Sequence, residues 1–184
     1  MTITLIGYRA TGKTTLARLL AGHLGWDWID ADVEIERRAG KSIARIFAED
    51  GEPAFRELEA RVIADLAHRD RLVLAAGGGA PLREESRVAM RAGGIVVWLT
   101  ARPETILARM TADATTAGRR PNLTAKGGLD EIVELLARRE PIYRQTSHYV
   151  VDTEARTPED LAAEILALVG IGANRPDSNA SVVR

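Results

Sequence analysis

A three-layer α/β/α fold, with a five-stranded parallel sheet between two helical layers, is what the 184-residue sequence predicts. Two observations carry this. Five short apolar runs alternate with segments of helical periodicity. The runs also lack the in–out alternation of a half-exposed strand, so they are expected to be buried on both faces, as strands of a parallel sheet flanked by helices are.

The elements follow in order. Thr2 to Ile6 is a β-branched run ended by Gly7 and reads as the first strand. Leu16, Leu19, Leu20 and Leu24 recur at helical spacing between Thr14 and Leu24, and Gly25 stops that helix. Trp26 to Ile29 is the second strand, ending at Asp30. Asp32 to Ala39 is helical and closes at Gly40, and Ser42 caps a short helix carrying Ile43, Ile46 and Phe47. Pro53 suits the first turn of the next helix, whose apolar face is Phe55, Leu58, Val62 and Leu66. Leu72 to Ala76 is the third strand, broken by Gly77-Gly78-Gly79. Leu82 to Ala92 is helical, Ile95 to Leu99 is the clearest strand, and Pro103 to Met110 begins another helix.

Thr111 to Gly128 is rich in Thr, Gly, Ala and Arg with weak apolar periodicity, and a loop that long is expected to be functional or disordered. Leu129 to Tyr143 returns to helical spacing through Ile132, Leu135 and Leu136, with Pro141 expected to end it early. Tyr149 to Val151 is the fifth strand. Thr157 caps the last helix, with Pro158 at its first position, Glu159 and Asp160 in its first turn, and Leu161, Ile165 and Leu168 or Val169 on its face. Residues 171–184 are polar and patternless, so disorder is expected there. The organisation expected is a single domain over 1–170 with a lid at about 111–128.

Composition narrows the function. Cysteine is absent, which excludes disulfides, thiolate metal sites and a cysteine nucleophile. His23, His68 and His148 are too scattered for a His-rich metal site. The net charge of -1 and 4% aromatic content do not suit a nucleic-acid partner. No apolar run reaches membrane-helix length, and the chain opens Met1-Thr-Ile-Thr-Leu-Ile-Gly7 without a charged leader. A soluble, cytoplasmic, monomeric protein is expected.

Gly7-Tyr8-Arg9-Ala10-Thr11-Gly12-Lys13-Thr14 fits G-x-x-x-x-G-K-[ST], with a strand before it and a helix after. The glycines let the backbone curl so that its N–H groups face phosphate oxygens, and the helix N-terminus adds partial positive charge. Lys13 is placed for the β and γ phosphates, and the Thr14 hydroxyl for Mg²⁺. Gly7, Ala10, Thr11, Gly12 and Thr15 complete the nucleotide cradle. The loop binds a nucleoside triphosphate without separating a kinase from a hydrolysing switch.

Asp30-Ala31-Asp32 follows the second strand at the carboxyl edge of the sheet, where open α/β sheets bind ligands. One carboxylate suits the water shell of Mg²⁺, and the other a substrate hydroxyl and its proton. Asp32 could equally cap the helix after it. Arg56 and Arg139 each suit a solvated helix face, with Glu52, Glu57 and Glu59 near Arg56 in sequence. Gly77, Gly78 and Gly79 favour a ligand lying directly on backbone N–H groups over a merely flexible turn. Arg119-Arg120-Pro121 in the long loop suggests a lid that brings charge to a transferring phosphoryl group. Arg109 either stacks on adenine or offsets its helix dipole.

Taken together, these residues resemble the shikimate kinase family, which has the nucleoside monophosphate kinase-like P-loop fold. The resemblance runs from about Ile3 to Val169. It rests on Asp30-Ala-Asp32, on Gly40-Lys-Ser-Ile-Ala-Arg-Ile-Phe47 and on Gly51-Glu-Pro-Ala-Phe55-Arg56-Glu-Leu-Glu59. Ala76-Gly-Gly-Gly79, Arg120-Pro121 and Arg139-Glu-Pro-Ile-Tyr143 extend it. The resemblance implies phosphoryl transfer from MgATP to the 3-hydroxyl of shikimate. Asp30 would help hold Mg²⁺ through water. Asp32 would bind and poise the attacking hydroxyl. Arg56, oriented by Glu59, and Arg139 would clamp the carboxylate, with Gly78 and Gly79 in backbone contact. Arg120 would close over the phosphates, and Arg109 and Arg156 would lie near adenine. Two departures stand out: Arg120-Pro-Asn-Leu123 replaces the common Arg-Pro-Leu-Leu, so Arg119 could serve instead of Arg120, and Ala10-Thr11 replaces frequent Gly or Ser. The nearest rival is another small-metabolite P-loop kinase, such as a gluconate kinase. A GTP switch would need an N-K-x-D segment, which the sequence lacks.

Overall fold

β1 (Thr2–Ile6) is buried at every position because it lies at the centre of the sheet, between β3 (Leu72–Ala75) and β4 (Gly94–Thr100). This is a computed structural model, and it describes residues 1–112 and 128–170. Outside β3 lies β2 (Asp27–Asp30), and outside β4 lies β5 (Tyr149–Asp152), giving the order β2-β3-β1-β4-β5. Every pairing is parallel. The expected lid and tail fall outside the described residues, apart from 111, 112 and 128.

Side-chain alternation divides the core into two layers. Leu72 and Leu74 of β3, with Val96 and Trp98 of β4, face one cluster. That cluster is covered by α2 (Ala31–Ala39), α3 (Ile43–Glu49), α4 (Gly51–Ala67), α5 (Glu84–Gly93) and α7 (Gly128–Thr146). Val73, Ala75, Val97 and Leu99 face the other, with Leu16 and Leu20 of α1 (Lys13–Leu24) and Leu161 and Ile165 of α8 (Pro158–Val169). A smaller third cluster joins Tyr8 to Ile106 of α6 (Pro103–Ala112) and to Ile132 and Leu136 of α7.

Three expectations need correction. The outer strands are not buried on both faces: Trp28 is 41% exposed and Val150 is 44% exposed. Each lies on a strand with one neighbour, where the covering layers run out. Leu58 is only partly buried, whereas Ile63 is fully buried with Phe55, Val62 and Leu66 on α4. Pro141 does not end its helix, because α7 runs on to Thr146. An interior proline costs about 3 kcal/mol through its lost N–H and a clash one turn back. Packing overrides that cost, since Tyr143 and Thr146 are buried beyond it. Arg91 of α5 also donates to the carbonyls of Gln145 and Thr146, satisfying the exposed end of the helix.

The functional edge follows from this topology. β1 leads into the glycine loop, β2 ends at Asp30, and β3 runs into Gly77-Gly78-Gly79. The chain builds outward from β1 in both directions, and the loops at the carboxyl ends beside that reversal frame a crevice.

Candidate active site

The phosphate side of the crevice is made by one continuous stretch. Gly7 has φ 139°, and a Cβ there would lie 2.4 Å from the Leu99 carbonyl oxygen, so only glycine fits. Gly12 caps α1 at φ 90°. Gly12 brings no side-chain cap to the first turn of α1, whose opening N–H groups have no partner within the helix. Thr11 Oγ1 donates to the Tyr8 carbonyl at 2.8 Å, and Lys13 Nζ donates to the carbonyls of Gly7 at 2.9 Å and Tyr8 at 2.7 Å. These bonds fasten the loop to itself. Ala10 takes a left-handed conformation, φ 61°, and Thr15 is exposed on the first turn.

Thr14 Oγ1 donates to Asp30 Oδ2 at 2.6 Å, tying α1 to the end of β2. The other Asp30 oxygen, Oδ1, accepts from the Asp32 N–H at 3.0 Å and caps α2. The helix cap is therefore Asp30, not Asp32. A hydroxyl and a carboxylate oxygen side by side suit Mg²⁺, a hard cation that takes few protein ligands and fills its shell with phosphate and water. Among the described residues there is no group of three or more His, Cys, Asp or Glu that could hold a metal.

The acceptor side is assembled from three distant segments around the glycine run. A Cβ on Gly77 would lie 2.9 Å from Asp32 Oδ1 and 3.0 Å from Glu59 Oε1. One on Gly79 would meet the Arg56 guanidinium, and one on Gly78 would lie 3.8 Å from an Arg139 guanidinium nitrogen and 3.2 Å from the Gly7 carbonyl oxygen. The glycines thus have a reason that their sequence does not announce: the protein's own polar side chains lie against this backbone.

Arg56 Nη1 donates to Glu59 Oε2 at 2.8 Å, while its Nε and Nη2 donate to Glu52 Oε1. Its side chain is only 19% exposed, so the solvated-face reading fails, as it does for Arg139, which is 9% exposed. Glu57 is exposed. Burial pushes the Glu59 carboxyl above the usual carboxylate range, against the pull of Arg56 and Arg139.

Four further residues, Tyr8, Arg9, Glu131 and Tyr143, have no role assigned from the sequence. Tyr8 is buried, with the guanidinium carbon of Arg9 5.7 Å and that of Arg139 5.6 Å from its ring centroid. Arg9 Nη2 donates to Glu131 Oε1 at 2.8 Å in a pair shut from solvent. Tyr143 Oη donates to the Gly78 carbonyl at 2.6 Å. Tyr8 and Arg9 occupy the variable positions of the loop, where no pattern constrains them. Only Tyr143 had a place in a motif, and there without a role.

At the far end of the sheet, Arg109 donates to Thr153 Oγ1 and to the Thr153 carbonyl, both at 2.9 Å. Arg156 is engaged with Glu164 and the Asp160 carbonyl on α8. Arg119 and Arg120 lie outside the described residues.

A phosphate loop after the central strand of a parallel 2-3-1-4-5 sheet, facing a pocket of arginines and a carboxylate, defines a P-loop kinase of the nucleoside monophosphate kinase-like fold. A model of the shikimate kinase family matches residues 9–169, and the chain belongs to that family. It is 43% identical to a shikimate kinase of Rhodopirellula baltica across 88% of this chain and 87% of that protein. A shikimate kinase of Symbiobacterium thermophilum is also 43% identical, across 90% and 94%. Among solved structures, the Acinetobacter baumannii shikimate kinase in complex with shikimate superposes with a TM-score of 0.85 at 39% identity, across 91% of this chain and 92% of that one. A gluconokinase from Sinorhizobium meliloti reaches a TM-score of 0.55 at 15% identity, a likeness of fold alone.

Proposed function

We propose that this protein transfers the γ-phosphoryl group of MgATP to the 3-hydroxyl of shikimate, giving shikimate 3-phosphate and ADP. The observation that carries this reading is Arg139. It is an arginine 9% exposed, with no carboxylate at ion-pair distance among the described residues, beside the glycine run and against Tyr8 of the phosphate loop. Burying a cation without a paired anion is costly, so a site of this kind is built to receive one. A carboxylate on the acceptor supplies it, and the planar guanidinium fork suits a carboxylate.

The remaining roles follow from position. Arg56, held by Glu59 and Glu52, is the second arm of the clamp. The Asp32 carboxylate sits over Gly77, where it accepts the acceptor's hydroxyl proton as that oxygen bonds to the γ-phosphorus and the bond to the ADP oxygen breaks. Gly78 and Gly79 present backbone to the acceptor. Gly7, Ala10, Thr11, Gly12, Lys13 and Thr15 cradle the phosphates. Thr14 and Asp30 would hold Mg²⁺, which when bound neutralises phosphate charge. Arg120 is assigned to charge stabilisation, and Arg109 and Arg156 to the adenine. The same reading takes the protein as a cytoplasmic monomer acting on two small molecules, without nucleic-acid or membrane partners. Its near-zero net charge supports the absence of a nucleic-acid partner, and no described helix is long and apolar enough to cross a membrane.

ADP release from MgATP tests the reading, with shikimate, gluconate, a nucleoside monophosphate or no acceptor. Release with shikimate alone is expected. Release with gluconate instead would keep the phosphate loop and overturn the acceptor.

A further inference from the structure

The Tyr8 ring has two guanidiniums against it, at nearly equal distance, and their circumstances differ. Arg139 comes from the middle of α7 and has no carboxylate at ion-pair distance among the described residues. Arg9 comes from the phosphate loop and is bonded at 2.8 Å to Glu131, in the first turn of the same helix. The Arg9 side chain is 9% exposed and the Glu131 side chain 1% exposed. A glutamate in a first helical turn is ordinarily a solvated partner of the helix dipole. Glu131 is not solvated, and it reaches across to a loop far away in sequence.

We infer that Glu131 is a positioning residue: it pins and neutralises Arg9 so that, of the two guanidiniums at the Tyr8 ring, only Arg139 is left to meet the acceptor's carboxylate. This rests on the proposed shikimate-phosphorylating activity. Two uncompensated cations in so dry a space would repel each other, and Arg9, once released, would compete for the same anion. The pin also fastens the phosphate loop to the helix that carries the clamp. Tyr143, further along α7, fastens the glycine run to it as well. One helix thereby sets the donor and acceptor halves of the crevice against each other.

The test is steady-state kinetics with both substrates varied, alongside thermal melting. Glu131→Gln is expected to raise KM for shikimate on the order of tenfold while kcat and KM for ATP move by less than about threefold, since misplacement of a binding group weakens that group's ligand. Arg9→Met combined with Glu131→Gln removes both charges and is expected to bring KM for shikimate back toward the parent value, a coupling that independent roles would not give. A folded Glu131→Gln protein with unchanged KM for shikimate, or a double variant as impaired as the single one, overturns the inference. Should Glu131→Gln not fold, Glu131→Asp draws the charge back by one methylene. A rise of about threefold in KM for shikimate is then expected, and no rise overturns the inference. If the unsubstituted protein releases no ADP in response to shikimate, the functional reading itself falls. If it does and the variants behave alike, only the role of Glu131 falls.

Discussion

The two halves of the crevice are built on opposite principles. The phosphate half is backbone: one stretch from Gly7 to Thr15, curled by Gly7 and Gly12, tied by Thr11 and Lys13 to its own carbonyls. The acceptor half is side chain: Asp32 from α2, Arg56 and Glu59 from α4 and Arg139 from α7, converging on three glycines after β3. A site for a triphosphate needs many identical N–H donors, and a turn entering a helix supplies them locally. A site for a small hydroxy acid needs a few different groups at fixed places, and only the assembled sheet can bring those together.

The comparison breaks first if the chemistry depends on one half alone. Lys13→Ala removes charge from the phosphate side, and Asp32→Asn removes the proposed proton acceptor from the other. Each is expected to lower kcat by about 10²-fold or more, the usual loss when a charged group acting in the transition state is removed. Saturating-substrate assays on folded variants decide it. Normal turnover in either variant would take that half out of the reaction. Arg139→Ala is expected to separate the halves differently, raising KM for shikimate by about 10-fold or more with little change in KM for ATP, as the loss of a ligand-binding charge does. Equal changes in both constants would show that Arg139 supports the fold and not the acceptor.

Two glycine substitutions sharpen the contrast between backbone and side-chain construction. Gly7→Ala would press a Cβ to 2.4 Å from a backbone oxygen, at a φ of 139° that alanine rarely adopts. Nothing nearby can yield, so loss of ATP turnover and destabilisation of about 2 kcal/mol or more are expected. Gly79→Ala would meet the end of the Arg56 side chain, which can swing away. A folded protein with raised KM for shikimate and nearly intact ATP affinity is expected. Thermal melts and substrate titrations on the two variants test this. Equal damage at both positions would erase the distinction.

Legibility followed the same division. The phosphate loop could be read outright because its eight residues are consecutive and its strand-before, helix-after context is local. The acceptor residues were open to bland readings one by one. Arg56 sits among glutamates on a helix, and nothing in that spacing says that Phe55 and the glycine run enclose it. Their assignment came through the resemblance of several ordered motifs. Tyr8, Arg9 and Glu131 escaped both routes, because a loop residue and a helix residue paired through burial leave no periodic trace. The fold was legible wherever apolar periodicity was strong. It misled at Pro141, where tertiary packing outweighs a local breaker, and at the outer strands, whose apolar sequence suggests more burial than an edge provides.

Protonation gives a subtler separation. Glu59 and Glu34 are both buried beside arginines, yet they shift in opposite directions. Burial raises Glu59 above its ordinary 4.5, whereas bonds from Arg37 and Arg38 hold Glu34 at about 2. A raised carboxyl favours the folded state below 4.5, and that contribution is lost as pH climbs through the folded value. A lowered one contributes above 4.5, and its contribution is lost as pH falls toward 2. Melting temperature against pH should therefore show Glu59→Gln flattening a loss on the alkaline side of 4.5, and Glu34→Gln flattening a loss on the acid side. The Glu34 effect is expected to be modest, since the Arg37 side chain is 69% exposed and solvent screens it. Identical profiles would mean that the acceptor half carries no burial strain of its own.

The smallest effect expected lies in the phosphate loop itself. Ala10 holds a left-handed φ of 61° with a side chain where glycine would serve. That conformation costs an L-residue about 1–2 kcal/mol. Ala10→Gly relieves it but frees the unfolded chain, a loss of about 0.4–1 kcal/mol. The two nearly offset, so melting is expected to move by only about 2–4 °C at most. KM for ATP should change less than about threefold, because the phosphate-facing N–H groups belong to the backbone and remain where the turn puts them. Calorimetry and ATP titration measure both. If the cradle is a backbone device, its tolerance at Ala10 and its intolerance at Gly7 belong to one rule: what matters is whether the chain can take the curve. A loss at Ala10 comparable to that at Gly7 would mean that the side chain itself touches nucleotide, and the phosphate half would then be built in part as the acceptor half is.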